Sequence, residues 1–155
     1  MGEPLSLTHT VEQIRAEVLE PFNRLSFLTA VNARVEILDA ERIRGTLSPI
    51  AEWQRGGLQS AGANGATLAS ILDLVLGVPG LIRAYPDART ATVQLSMSFM
   101  KLVEGDQVVA DAWIARGSKA MLFTAAELRN GEGELCGQAQ GVVRLMTGHR
   151  APKAY

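Results

Sequence analysis

The sequence predicts an α+β domain in which a curved antiparallel β-sheet wraps around one long central helix. Residues 60–77 are small or apolar nearly all round the helical period, so this helix must be covered on most sides. Alternating segments lie before and after it, as is typical of strands joined by short turns. Wrapping by a sheet and burial at a subunit interface would each cover the helix, and both can hold together.

The chain opens with a shorter helical pattern. Apolar residues recur at amphipathic spacing from Val11 to Leu19, and Pro21 is expected to end this helix. We predict three units along the chain: an N-terminal helical segment (1–31), the main domain (32–147) and a flexible tail (148–155).

Two strands and then the apolar helix occupy the middle of the chain. Apolar and polar residues alternate over 32–48, which predicts two antiparallel strands joined near Asp39 and Ala40. The apolar helix follows a polar connection at 52–57. We expect it to stop at a loop that contains Gly77, Pro79, Gly80 and Pro86.

The remaining residues predict four more strands. Over 92–99 the alternation places Val93, Leu95, Met97 and Phe99 on one face and Thr92, Gln94, Ser96 and Ser98 on the other. Three further strands are expected at 107–115, 120–128 and 135–146, with turns at 104–106, 116–118 and 130–133. Consecutive strands joined by such short turns form an antiparallel meander.

Composition narrows the functional classes. The chain has 155 residues, 47% apolar and 20% charged, with a net charge of -1, which suits one domain with no basic surface for nucleic acid. Cys136 has no partner for an internal disulfide, and no secretory or membrane-length apolar segment opens the chain; a cytoplasmic protein that binds no membrane is expected. His9 and His149 lie near the two ends without metal-ligand spacing, so no metal site is predicted.

An acid inside the apolar helix is the first candidate catalytic group. Asp73 is the only charged residue between Arg55 and Arg83, and its neighbours are large and apolar. A buried or half-buried carboxylate is therefore expected, and it needs compensation for its lost hydration. Two interpretations carry equal weight: Asp73 lies on one solvated strip of the helix or caps a neighbouring loop, or it is tuned as a base or nucleophile.

Glycines at the start of the helix are the second candidate feature. Gly62 and Gly65 lie where free backbone N–H groups and the positive end of the helix dipole suit a thioester or ester carbonyl; close packing is the alternative role. Asn64 and Asp73 are about 13.5 Å apart along a helix axis and about 180° apart around it. If Gly65 and Asp73 act on one carbonyl, they come from two subunits of a dimer.

These residues resemble the hotdog-fold thioesterases of the PaaI-like, phenylacetate-pathway family. The family signature is H-G-G followed by an apolar run and an acid nine residues after the His, and the segment from Asn64 to Asp73 keeps that spacing. Thr92–Phe99 matches the family's T-V-x-L-x-x-x-F strand, and a Gly-Asp turn and a basic Gly turn follow in order. The resemblance covers 32–146 and implies a double-hotdog homodimer, with a homotetramer expected. It also implies metal-free hydrolysis of an acyl- or aryl-CoA, in which coenzyme A enters only as part of the substrate.

The resemblance assigns roles to individual positions. Asp73 would be the general base or nucleophile, the Gly65 amide of the partner chain the oxyanion donor, and Thr92 the hydroxyl that holds the attacking water. Asn64 replaces the family's His, although its amide can still donate a hydrogen bond. The positions expected to contact substrate are Gln59, which neighbours the family's amide position, Ala66, which replaces the second Gly, and Arg116 and Lys119 at the coenzyme A phosphates.

Three other functions are alternatives. A protein that binds acyl-CoA or a fatty acid without cleaving it would share the fold, and the loss of the His at Asn64 favours it. A hydratase or dehydratase is opposed by the absence of any central His. A purely structural assembly domain would leave the expected buried charge of Asp73 without a purpose. Trp53 precedes the predicted site and is either a packing residue or part of an acyl or aryl pocket.

Overall fold

A six-stranded antiparallel sheet covers one face of a single long helix. The computed structural model describes residues 11–39, 41–56, 61–86 and 88–147. The strands are β1 (Ala33–Ile37), β2 (Arg42–Leu47), β3 (Ala88–Phe99), β4 (Val108–Gly117), β5 (Met121–Asn130) and β6 (Leu135–Thr147). Their order in the sheet is β1-β2-β4-β5-β6-β3. The predicted α+β arrangement is confirmed, and β4 continues through Arg116 and Gly117, where a turn was predicted.

The central helix, α4 (Gly65–Arg83), runs further than the sequence predicts. It begins after Asn64 rather than at residue 60, and it continues through Gly77, Pro79 and Gly80, so the predicted stop is wrong. Burial outweighs the helix-breaking tendency of these residues: Pro79 and Gly80 are both buried, and a Cβ at Gly80 would lie 2.6 Å from Thr90 Cγ2. Gly80 therefore permits close packing of α4 on β3.

Helix α4 is covered by the inner face of the sheet. It packs against β2, β3, β4, β5 and β6, and ten of its nineteen residues are buried. By length and apolarity alone α4 could cross a membrane. In this fold its apolar residues form the core instead, with Ile71, Leu72, Val75 and Leu76 fully buried.

Short helices precede the sheet. They are α1 (Val11–Ile14), a π-helical turn (Arg15–Leu19), α2 (Glu20–Asn23) and α3 (Ser26–Ala30), of which α3 was not predicted. The helical stretch does not end at Pro21, because the π turn shifts the hydrogen bonds and Pro21 falls in the first turn of α2, where a missing N–H is tolerated. The unit boundary after residue 31 stays a prediction, and the predicted tail lies outside the described residues.

The two edges of the sheet differ. At the β1 edge, Asn23 Nδ2 donates to the Val35 carbonyl at 2.8 Å, and Asn23 Oδ1 accepts from the Val35 N–H at 2.7 Å. The N-terminal segment thus satisfies part of that edge. Within the described part of the chain, β3 pairs with β6 alone. The open edge of the sheet is therefore β3.

A β-bulge at Val93 changes which way β3 side chains face. Thr92 pairs with Val143 and Leu95 with Gly141, so β3 has one residue more than β6 between these pairs. Val143 is buried, and a Cβ at Gly141 would lie 3.3 Å from a Leu76 carbon of α4. Thr92 and Leu95 therefore both face α4. The prediction that they lie on opposite faces is wrong, because a simple alternation cannot include a bulge.

Candidate active site

Asn64 caps the start of α4 with both ends of its side chain engaged. Its Oδ1 accepts from the Thr67 N–H at 2.8 Å, and its backbone carbonyl accepts from the Leu68 N–H. Its Nδ2 donates to the carbonyls of Trp53 and Arg55, at 3.3 Å each. The substitution of the family's His therefore produces a helix cap that also fixes the preceding segment.

The first two N–H groups of α4 remain at the open end of the helix. Gly65 and Ala66 occupy the first turn, where a helix provides no internal acceptor, and both residues are exposed. Because Asn64 satisfies the next two amides, these are the donors left to a ligand. A Cβ at Gly65 would approach Phe99 no closer than 3.7 Å. The position is thus open to a ligand rather than closed by packing.

Gly62 permits close packing, which was the alternative role for the glycines at the start of the helix. It is buried, and a Cβ there would lie 2.7 Å from two Leu102 carbons and 2.9 Å from the Val103 carbonyl oxygen. The neighbouring Ala63 N–H donates to the same Val103 carbonyl at 2.9 Å. Gly62 therefore allows the loop before α4 to pack against the segment after β3.

Gln54 and Arg55 fix the loop that precedes α4 through hydrogen bonds. Gln54 is fully buried, and its carbonyl accepts from the Asn64 N–H at 2.8 Å and from Thr67 Oγ1 at 3.1 Å. The Arg55 guanidinium donates to the carbonyls of Ala61 and Gly105 and pairs with Asp106. The free amides of α4 are therefore presented on a rigid support.

Two clefts flank the first turn of α4. The strand-side cleft, about 310 Å³, is lined by Gly65, Leu68, Phe99, Met100, Lys101 and Leu102. The aromatic cleft, about 330 Å³, is lined by Phe27, Val31, Trp53, Gln54, Asn64, Ala66, Thr67 and Ser70. Both volumes fall near the lower end of the range for small-molecule sites. A group bound at the Gly65 and Ala66 amides would have one cleft on either side.

A surface ion pair borders the strand-side cleft. Lys101 Nζ lies 2.6 Å from Glu134 Oε1, and Asn130 Nδ2 donates to Glu134 Oε2 at 2.7 Å. The hydrogen bond from Lys101, followed by that from Asn130, lowers the pKa of Glu134, and the same contact with Glu134 raises the pKa of Lys101. The rim is thus held as a charge pair, and the cleft wall itself is apolar.

Asp73 lies on an open strip of α4. It is exposed in this chain, together with Ala66, while Ser70 between them is half-buried. Their spacing places the three residues on one face of the helix. The prediction of a buried or half-buried carboxylate is therefore wrong for the single chain, since the sheet covers the opposite faces of α4. In the single chain, Asp73 thus lies on a solvated strip of the helix.

Thr92 and Asp73 face the same open region. Thr92 is exposed on the α4 side of the free edge strand. Gly77 and Gly80 lie on the same side of α4 as Asp73, and a Cβ at either glycine would lie within 4 Å of Thr90 on β3. Gly65 is about 12 Å from Asp73 along the axis of α4 at ~1.5 Å per residue. Within one chain, Asp73 and the Thr92 hydroxyl therefore lie on the same side of α4, and the free amides at the start of the helix lie away from both.

The remaining predicted substrate positions lie elsewhere. Arg116 is exposed at the end of β4, and Lys119 is exposed in the turn after it. This end of β4 is close to the C-terminal end of α4, because a Cβ at Gly117 would lie 3.0 Å from Arg83 Nη1. Gln59 falls outside the described residues. Within the described ranges, no group of three potential metal ligands gathers. Sequence reasoning missed Phe27 and the buried Gln54, because neither pattern nor spacing marks them.

Residues 62–137 match the family model of the thioesterase superfamily. The fold is similar to three solved structures, each with low sequence identity. The E. coli PaaI protein of the phenylacetic acid degradation operon is 17% identical, with a TM-score of 0.75 over 92% of this chain and 98% of that one. A thioesterase family protein from Silicibacter pomeroyi is 15% identical, with a TM-score of 0.76 over 90% and 100%. A thioesterase from Haemophilus influenzae is 11% identical, with a TM-score of 0.75 over 90% and 92%. No curated protein matches the sequence.

These findings define a hotdog-fold protein with a PaaI-like architecture, as the sequence resemblance predicts. The superfamily match spans 76 of the 155 residues, just under half of the chain. It favours hydrolysis of a thioester as the general activity.

Proposed function

We propose that the protein hydrolyses an acyl-coenzyme A thioester at a site shared by two subunits. One observation carries this proposal: α4 presents free amides at Gly65 and Ala66 and an exposed carboxylate at Asp73, about 12 Å further along the axis. Within one chain, the Asp73 carboxylate cannot reach a carbonyl bound at the Gly65 and Ala66 amides. A second copy of α4 running in the opposite direction would bring both to the same carbonyl.

The free edge of the sheet supports this pairing. An open edge strand presents unpaired N–H and C=O groups that favour pairing with another strand. Antiparallel pairing of two β3 strands about a two-fold axis would place both copies of α4 on one side of a continuous sheet, in opposite directions. The exposed Val93 at the bulge of β3 would then be covered. A homodimer is thus proposed, with further pairing to a homotetramer.

The proposed reaction begins with the thioester carbonyl at the first turn of α4. The Gly65 N–H donates to the carbonyl oxygen and stabilises the negative charge that develops there. Asp73 of the partner subunit accepts a proton from water, whose oxygen attacks the carbonyl carbon, while Thr92 orients that water. The C–S bond then breaks, and the departing thiolate receives the proton. Direct attack by the Asp73 carboxylate, followed by hydrolysis of the anhydride, is the other form of the mechanism.

Charge at the far end of α4 favours coenzyme A as the thiol part of the substrate. Arg83, Arg116 and Lys119 lie near that end, about 15 Å beyond Asp73 along the axis of α4, and antiparallel pairing would place them past the partner's first turn. Guanidinium and ammonium groups suit the phosphates of coenzyme A. We propose a cytoplasmic enzyme that needs no metal and no cofactor besides this part of its substrate.

The Asp73→Asn variant tests the chemistry. Thiol release from an acyl-CoA should fall to near background while the dimer persists in sedimentation, because the amide can neither accept the proton nor attack. Glu36→Gln, which neutralises another exposed carboxylate on β1, is the matched control and should retain full turnover. Unchanged thiol release in Asp73→Asn would remove Asp73 from the mechanism.

Subunit complementation tests the shared site. In a mixed dimer of Asp73→Asn with Gly65→Ala subunits, one site carries both changes and the other carries neither. Random mixing should therefore restore about one quarter of wild-type turnover from two nearly inactive proteins, since half of the dimers are mixed. A mixture that stays inactive while mixed dimers form would show that each site lies within one chain.

A second function rests on the engagement of Asn64. Because its side-chain amide is committed to Trp53, Arg55 and Thr67, it offers no donor to a substrate. A protein that binds acyl-CoA without cleaving it fits this loss. Calorimetry with a hydrolysable thioester separates the two functions, because free thiol appears only with an enzyme.

A further inference from the structure

The Arg55 side chain bonds backbone carbonyl groups from three separate segments of the chain. Its Nη1 donates to the carbonyls of Ala61 at 3.2 Å and Gly105 at 2.9 Å, and its Nη2 donates to the carbonyl of Ile50 at 3.2 Å. Nη2 also pairs with the carboxylate of Asp106. A guanidinium can bond four acceptors in this way because it presents five donors in a fixed plane, whereas an ammonium is a point charge with three.

The backbone of Arg55 is bonded to the same loop. Its carbonyl accepts from Asn64 Nδ2 at 3.3 Å, and Arg55 and Ala63 form an isolated antiparallel bridge. Next to this bridge, the Gly56 N–H donates to the Gly62 carbonyl at 3.1 Å. The main chain and the side chain of one residue therefore both hold the segment that leads into the first turn of α4.

The hydrogen bonds to carbonyls matter more at Arg55 than the ion pair. The side chain of Arg55 is 19% exposed, whereas that of Asp106 is 79% exposed. An ion pair with so exposed a partner is largely screened by water. The bonds to Ala61 and Gly105 instead join the loop before α4 to the turn between β3 and β4. The fixed geometry of the guanidinium is therefore the property that this position requires.

We infer that Arg55 is a positioning residue for the free amides of Gly65 and Ala66. The inference rests on the proposed function, in which those amides stabilise the charge that develops on the thioester carbonyl oxygen. Arg55 lines neither of the two clefts beside the first turn of α4, so it acts through the loop and does not touch the ligand. Displacement of the amides would weaken binding of the transition state more than binding of the substrate, because the full negative charge develops only in the transition state.

The kinetics of Arg55→Gln and Arg55→Lys test this role. Because misplacement of a catalytic group can cost up to about 10²-fold, we expect both variants to lose about tenfold in kcat, with KM changed less than about twofold. Asp106→Asn keeps an oxygen acceptor for Nη2 and should retain most of the activity. Arg44→Gln is the matched control, since it removes a bidentate pair with Asp111 on the face of the sheet opposite α4, and it should leave kcat unchanged.

A double-mutant cycle with Gly65→Ala separates positioning from a general loss of structure. If Arg55 acts through the first-turn amides, Arg55→Gln should cost less than about twofold in kcat once Gly65→Ala has impaired the approach to them, instead of about tenfold. An equal loss in both backgrounds, an unchanged kcat in Arg55→Gln, or full activity in Arg55→Lys would overturn the inference.

Amide hydrogen exchange tests the inference without any hydrolysis. The N–H groups of Ala63 and Asn64 donate to the carbonyls of Val103 and Gln54, at 2.9 and 2.8 Å. Both amides should exchange at least about tenfold faster in Arg55→Gln, because hydrogen bonds from a charged group are lost, while amides in the middle of α4 keep their protection. Unchanged exchange at Ala63 and Asn64 would also overturn the inference. Faster exchange there, with no thioester hydrolysis by the wild type, would leave the anchoring by Arg55 in place and overturn only the proposed reaction.

Discussion

Replacing Gly65 with alanine should separate activity from folding. The backbone at Gly65 lies outside the left-handed region, and the new Cβ would meet its nearest neighbour, Phe99 Cε2, at an ordinary 3.7 Å. Alanine also loses less chain entropy than glycine on folding, so Gly65→Ala should stabilise the protein by ~0.4–1 kcal/mol. For a domain of this size that raises the Tm by about 1–4 °C.

The same methyl group should impair catalysis. It lies beside the two free amides, where the carbonyl oxygen of the substrate has to approach. Loss of one oxyanion donor lowers kcat by about 10²–10³ in other enzymes, and since the N–H itself remains, we expect a loss of at least about tenfold. Thiol release from an acyl-CoA and a thermal melt, recorded on the same preparation, measure both effects.

A second glycine of α4 provides the matched control. A Cβ at Gly77 would lie 3.8 Å from Thr90 Oγ1 of its own chain, and Gly77 is about 18 Å from Gly65 along the axis. Gly77→Ala should raise the Tm similarly and leave turnover unchanged. Full activity in Gly65→Ala at a raised Tm would refute the role of the first-turn amides, and a lowered Tm would refute the description of the backbone there.

Three other variants test the packing and electrostatics of the described structure. Gly45→Ala places a Cβ against Val75 Cγ1, so overpacking should destabilise the protein by ~1–3 kcal/mol in urea unfolding; an unchanged midpoint would contradict this contact. Gln54→Leu leaves the Ala51 N–H and the Val31 carbonyl without their side-chain partner and should lower stability by ~1–3 kcal/mol per group in urea unfolding; wild-type stability would contradict these bonds. Glu134→Gln should weaken the protein slightly at neutral pH, and the difference from the wild type should shrink as the pH falls below 4.5. Because Lys101 holds the pKa of Glu134 down, the carboxylate's contribution to stability is complete above its ordinary value of 4.5 and is lost as the pH falls through the lowered one; a difference that does not shrink in acid would argue against the pair.

The strands and the central helix follow from local pattern. Apolar residues that recur every two or every 3.6 residues mark the buried face of a strand or a helix. This periodicity locates β1, β2, β4, β5, β6 and most of α4 to within a few residues. The pattern failed where tertiary contact overrides local preference. Pro79 and Gly80 read as a helix stop, yet packing of Gly80 on Thr90 keeps them in α4.

The candidate site was predictable only in part. The spacing from Asn64 to Asp73 is a property of the chain and correctly implied that one subunit cannot bring the amides and the acid together. The bulge at Val93 and the burial of Gln54 depend on neighbours distant in sequence, so no local signal marks them. The exposure of Asp73 was missed for a different reason. An apolar composition shows that a helix must be covered, but it does not show which strip of the helix its own chain leaves exposed.

The position of α4 in the chain has a consequence for biosynthesis. The ribosome completes this helix at Arg83, before any residue of β3, β4, β5 or β6 has been made, and those strands extend to Thr147. Until then a segment apolar enough to enter a lipid bilayer has only the β1–β2 hairpin and the short leading helices to shield it. Nascent chains halted as soon as α4 has left the ribosomal exit tunnel, with the β3 residues still inside it, should therefore recruit chaperones or insertion machinery, and full-length chains should release them.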